Sequence, residues 1–137
     1  MADTMASKAA AEVKPCPCGG DTDYANCCAR YVGGEAPAPT AEALMRSRYS
    51  AFALGKEAYL LASWHPKTRP SKVSLDPAQK WIGLSIKSTE RGGAADKTGV
   101  VEFVARFKVD GKGHRLHEKS RFEQIAGQWY YLEGDHL

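Results

Sequence analysis

From residue 40 onward, apolar positions recur first at helical and then at strand spacing. Ala41, Met45, Tyr49 and Phe52 fall three or four apart in the run AEALMRSRYSAFAL, which predicts an amphipathic helix. Thr40 stands where an N-cap belongs, Glu42 sits in the first turn where the helix dipole favours an anion, and Gly55 can end the helix. Arg48 breaks the pattern: it lies three after Met45 and four before Phe52, on the apolar stripe itself. Arg46 points away from the stripe and is expected to be solvated. A second short helix is predicted from Glu57 to about Ser63. It should stop before His65-Pro66, because proline disfavours helix in the residue before it.

After a loop from Lys67 to Pro77 the period changes to two. Ile82, Leu84 and Ile86 alternate with smaller or polar residues, and Val101, Phe103, Ala105, Phe107 and Val109 alternate with Glu102, Arg106 and Lys108. A third strand is predicted over His114–Ile125 and a fourth over Gln128–Leu132. Turns fall at Arg91-Gly92-Gly93, at Asp110 to Gly113 and at Gly127. Helices first and a meander of four strands afterwards predict an α+β fold, with an antiparallel sheet curling around the helices.

The third strand carries the unusual chemistry. If Leu116 and Phe122 face the helices, the period of two turns Glu118 and Ser120 inward as well. A carboxylate and Arg48 then share the interior. Either they close into a buried pair, or they line a polar pocket with Trp64 and His65, since buried charges persist only when paired and hydrogen-bonded. His65 has no identified nucleophile beside it. It reads as a hydrogen-bonded corner residue, with a general base as the alternative. Trp81, Trp129, Tyr130 and Tyr131 stand at strand spacing and are expected to pack the core.

Before residue 40 no such pattern exists. Residues 1–14 are Ala-rich and polar and are expected to be disordered; 15–32 hold all four cysteines; 33–39 (GGEAPAP) form a connector without expected core residues; 40–137 make the main domain. On this division, removing residues 1–32 should leave the main domain folded. The N-terminus has no apolar stretch of the secretory kind and no arginines of the transit kind, and no run approaches the roughly 18 apolar residues of a membrane span. These absences predict a cytoplasmic protein with no membrane partner, in a compartment where clustered cysteines more often mean metal than disulfide.

The cysteines are Cys16, Cys18, Cys27 and Cys28: two in PCPCGG and, with eight residues between Cys18 and Cys27, a Cys-Cys pair. Four thiolates satisfy one tetrahedral zinc and leave no open position for water, so the expected metal is a single structural zinc. The spacings are tighter than the usual two to four intervening residues. The prolines and Gly19-Gly20 allow such a sharp path. Two disulfides or free thiols are the alternative. Four thiolates and one Zn²⁺ together would lower the formal net charge of +3 to +1, which argues against a nucleic-acid partner.

PCPCGG…YANCC resembles the SEC-C motif, found at the C-terminus of the translocation ATPase SecA, where it is implied to contact the chaperone SecB and the ribosome through a basic surface. Gly20 stands where that motif usually has serine, and the basic residues near the cluster are Lys14 and Arg30. LMRSRYSAF, YLLASWHP, FVARF, EKSRF and GQWYYLEG are similar to the YchJ-like family of small bacterial proteins, some of which carry a second SEC-C copy. The resemblance implies a nuclear transport factor 2-like domain, a cone of helices on a curved sheet that often encloses a pocket. The expected function is a non-enzymatic zinc-knuckle adaptor, with a protein partner on the knuckle or a small ligand in the cone. The alternatives are an enzyme or small-molecule binder using Arg48, His65 and Glu118, or a ribosome- or RNA-associated factor.

Overall fold

The computed structural model describes residues 16–19 and 23–137; the expectations for residues 1–14 and for Gly20 lie outside these. A 3₁₀ turn (Tyr24–Asn26) leads into a short helix α1 (Ala29–Val32), followed by α2 (Ala41–Leu54) and α3 (Glu57–Ala62). Four strands follow, β1 (Gln79–Arg91), β2 (Thr98–Val109), β3 (Lys112–Ile125) and β4 (Gln128–His136). They pair antiparallel in chain order, giving the α+β fold that the order of patterns predicted. No helix among the described residues is long and apolar enough to cross a membrane.

Helix α2 starts and stops where its sequence signals lie. Thr40 Oγ1 accepts the Ala43 N–H at 3.0 Å, and Gly55 closes the helix in the left-handed region at φ 73°. Its inner face puts Leu44, Met45 and Tyr49 against Val101, Phe103 and Ala105 of β2, Phe122 of β3 and Trp129 of β4. A smaller cluster of Ala51, Leu60 and Val73 packs the far end of the helix against α3 and the loop that follows it.

Three sequence expectations change. First, Ile82 does not share a face with Leu84 and Ile86: it is 54% exposed, while Trp81, Leu84 and Ile86 pack against the core. Register shifts between Trp81 and Gly83 and between Ile86 and Ser88 explain this, since a bulge sets two residues against one and turns the side chains that follow. Second, β4 runs on past Leu132 to His136 although the alternation has ended. Arg121 on β3 holds the extension, at 3.3 Å from Glu133 and 2.8 Å from Asp135. Third, the connector does contain a core residue. Ala38 is buried in the same cluster as Leu44 and Trp129, and so are Cys16, Cys18 and Cys28. The cysteine knuckle therefore packs into the main core.

Candidate functional site

Two sites flank helix α2. On one side the four cysteine sulfurs gather within 4.8 Å of one another. Cys18 Sγ lies 3.7 Å from Cys27 Sγ, and Cys27 Sγ lies 4.0 Å from Cys28 Sγ. A regular tetrahedron with metal–sulfur bonds of about 2.3 Å has edges of about 3.8 Å, so the spacing suits one ion at the centre. All four thiols are free of disulfides.

Backbone turns and α2 set this cluster. The Gly19 N–H donates to the Cys16 carbonyl at 3.0 Å, and the Cys27 N–H to the Tyr24 carbonyl at 3.0 Å. Arg46 is not simply solvated as its helical position suggested. Its Nη1 donates to the Cys18 carbonyl at 2.9 Å while its Nε binds Glu42 Oε2 at 3.0 Å. Ser50, one turn further along, brings its Oγ to 3.5 Å from Cys16 Sγ. Burial, followed by the neighbouring thiols, pushes the Cys27 thiol up to about 11. Hydrogen bonding to Cys18, followed by burial, pushes Cys28 up as well. Thiols this close resist ionising together, and a cation among them reverses that preference. The donor set fits a soft metal ion in an all-sulfur shell.

On the other side of α2, a cavity of about 350 Å³ opens between the helix and the concave face of the sheet. Arg48, Trp64, Glu118 and Ser120 line it, while His65 does not. Arg48 is only 3% exposed. Its Nη1 donates to the Leu60 carbonyl at 2.8 Å and to Ser63 Oγ at 2.6 Å, and its guanidinium lies over the Tyr131 ring at 4.7 Å and the Trp64 ring at 5.1 Å. It makes no ion pair with Glu118, which removes the closed buried pair as a description of the site. Burial lowers the Arg48 pKa to about 10, against the opposing attraction of Tyr131, Tyr59 and Glu118. Burial raises Tyr131 to about 12, with Glu118 adding to the shift.

Glu118 is oriented by its own sheet. Ser120 Oγ donates a short hydrogen bond to Glu118 Oε2, and the carboxyl group lies over Gly134, where a Cβ would stand 2.6 Å from Glu118 Cδ. His136 Nε2 approaches Glu118 Oε1 no nearer than 3.9 Å.

His65 is the corner residue. Its Nδ1 accepts the Lys67 N–H at 3.0 Å, which leaves the ring proton on Nε2 to face Glu123 Oε1 at 3.0 Å. Its backbone N–H donates to the Tyr131 carbonyl at 2.7 Å, and Tyr131 in turn donates to Ser63, so this corner ties the end of α3 to β4. That tie brings Tyr131 and Ser63 to Arg48. Sequence reasoning placed Tyr131 in the core and gave Ser63 no role, because their meeting depends on a bridge between segments more than sixty residues apart. Trp81, also read as core, lines the cavity and meets Tyr49 edge-on at 5.7 Å.

Residues 40–134 match the family model described as the YchJ middle NTF2-like domain. A UPF0225 protein of Chromobacterium violaceum is 60% identical over 123 residues, covering 87% of this chain and 90% of its own length. A UPF0225 protein of Streptomyces coelicolor is 52% identical, covering 90% and 96%. Among solved structures, a SEC-C motif containing protein from Rhodopseudomonas palustris superposes with a TM-score of 0.78 at 31% identity, over 89% of this chain and 98% of that one. Another, from Psychrobacter arcticus, gives a TM-score of 0.71 at 28% identity, over 89% and 81%. With the cysteine knuckle, the α+β cone and these matches in agreement, the chain belongs to the UPF0225 family, built on the YchJ middle NTF2-like domain.

Proposed function

We propose that this protein is a zinc-stapled binding protein. One structural Zn²⁺ on Cys16, Cys18, Cys27 and Cys28 fastens the knuckle to α2, and the adjoining cone takes a small organic ligand. The observation that carries the ligand is Arg48: a nearly fully buried guanidinium with no carboxylate partner among the described residues, lining a cavity of about 350 Å³. Small-molecule sites are commonly apolar clefts of this order with a few convergent polar groups. The all-sulfur shell supports zinc with a structural role, because it leaves no coordination position for substrate or water. Reduced thiols in that number also favour a cytoplasmic setting.

Binding is favoured over turnover because His65 is engaged by Lys67 and Glu123 and lines no part of the cavity. An adaptor role through the knuckle is the weaker reading, since three of the four cysteine side chains face the core. The test has two arms. Elemental analysis of protein purified under reducing, chelator-free conditions is expected to give about one zinc per chain, with absorption-edge fine structure showing four sulfurs near 2.3 Å. A fragment library screened by NMR against the zinc-loaded chain is expected to perturb Arg48, Trp64 and Tyr131. Absence of zinc overturns the first half of the proposal, and a library that leaves the cone resonances unmoved overturns the second.

A further inference from the structure

The chemistry of the cavity wall narrows the ligand, an inference that rests on the cone being a binding site. Arg48 and two carboxylates, Glu118 and Asp76, line one cavity, and neither carboxylate forms an ion pair with Arg48. Arg48 is held by a carbonyl, a hydroxyl and two aromatic faces, all neutral partners, and no carboxylate among the described residues pairs with it. Glu118 is held by Ser120, also neutral, and the imidazole of His136, a largely exposed side chain, lies 3.9 Å away.

A purely anionic ligand would satisfy Arg48 and meet repulsion from Glu118; a purely cationic one would do the reverse. Nor can a cation settle on the best π-faces near the pair, because the Arg48 guanidinium already covers Trp64 and Tyr131. Most of the remaining wall is apolar and aromatic, including Tyr49, Phe52, Trp81 and Phe103; Ser74, Asp76 and Gln79 add polar lining, and Asp76 Oδ1 already accepts the Ala78 N–H at 2.9 Å. We infer that the cone binds a small zwitterion with an apolar body, its carboxylate on Arg48, its ammonium on Glu118 and Ser120, and its ring or chain against the aromatic wall. Such a ligand meets the buried Arg48 and the partly buried Glu118 at once. A neutral amide could match the donor and acceptor pattern but would leave both charges standing.

The test uses the full zinc-loaded chain and four probes that share one skeleton: phenylalanine, 3-phenylpropionate, phenethylamine and 3-phenylpropionamide. Affinities are read by NMR titration of the cone resonances. Phenylalanine is expected to bind at least about tenfold more tightly than each of the other three, as expected where a site's polar groups go unmatched by an analogue. In Glu118→Gln the preference over 3-phenylpropionate should collapse to within about twofold, and in Arg48→Lys the preference over phenethylamine should persist in weakened form. Arg48→Met should abolish that second preference, and Arg48→Lys keeps the question answerable if Arg48→Met does not fold. Binding of the acid, amine or amide as tightly as phenylalanine overturns the inference. If none of the four binds while unrelated fragments enter the cone, the zwitterion is overturned and the binding reading stands. If nothing enters, both fall.

Discussion

Burying a guanidinium without a carboxylate costs free energy, and Arg48 offsets that cost with neutral groups: the Leu60 carbonyl, the Ser63 hydroxyl and the faces of Trp64 and Tyr131. Arg48→Met forfeits those contacts but also removes the desolvated charge, so the expected loss is about 1–2 kcal/mol. Coupling to Glu118→Gln should stay below about 0.5 kcal/mol, as for residues without a direct contact. Urea denaturation of both single mutants and the double mutant checks this; a loss of about 3–5 kcal/mol with strong coupling is the mark of a closed buried pair and would contradict the site described here. Gly134 gives an independent handle on the carboxylate. Gly134→Ala sets a methyl group where the Glu118 carboxyl lies, so that side chain must swing aside, and is expected to cost no more than about 1 kcal/mol, measured in the same denaturation series. The interior positions of Arg48, Glu118 and Ser120 were legible from periodicity alone, because the helical and strand periods decide which side chains share a face. Their partners were not. Whether Arg48 meets Glu118 or Tyr131 depends on how the end of α3 docks on β4, which no local pattern encodes.

At the scale of elements, the α2 boundaries could be read from Thr40 and Gly55, and the order of the strands from their alternation. The bulges in β1 could not: Ile82 to Ile86 reads as unbroken alternation, and the break that exposes Ile82 is visible only against the register of β2. Where α2 meets the β1–β2 hairpin, its first residue sits almost on the backbone. The Ala41 N–H donates to the Gly92 carbonyl at 2.9 Å, and a Cβ on Gly99 would stand 2.6 Å from Gly92 Cα and 3.0 Å from Ala41 Cβ. Gly99→Ala must part the two strands or lift the helix, and is expected to destabilise by about 1–3 kcal/mol. Gly113→Ala, on the next hairpin with nothing within 4 Å of its new methyl, is the control and should stay within about 0.5 kcal/mol of the parent. Thermal or urea midpoints of the pair separate a specific close approach from a general intolerance of strand alanines.

For the whole molecule, the division of the sequence at 33–39 does not describe the packing. Cys16, Cys18, Cys28 and Ala38 are buried with Ala41, Leu44 and Met45, so stripping residues 1–32 uncovers part of the main core. The truncated chain is now expected to unfold at a clearly lower urea concentration than the intact one, and a strong chelator should lower the intact chain's midpoint in the same direction. Equal midpoints for intact and truncated protein would restore the independent-module reading. The cysteine motif was legible as a cluster able to hold a metal ion, while its docking on α2 was not, because Arg46 reads from sequence as a solvated residue and Ser50 carries no signal of its own. Helix α2 offers Ser50 and Arg46 to the metal knuckle and Arg48, Tyr49 and Phe52 to the cavity. If zinc and a cone ligand bind as proposed, both brace α2 and each becomes the effector of the other; such coupling is reciprocal, so whatever factor zinc contributes to occupancy of the cone, the occupant returns to zinc affinity. Zinc loss to a chromophoric chelator is therefore expected to slow when the cone is filled, and cone affinity to fall as zinc is withdrawn. A cell poor in zinc would release the occupant, and a cell rich in the occupant would keep its zinc longer.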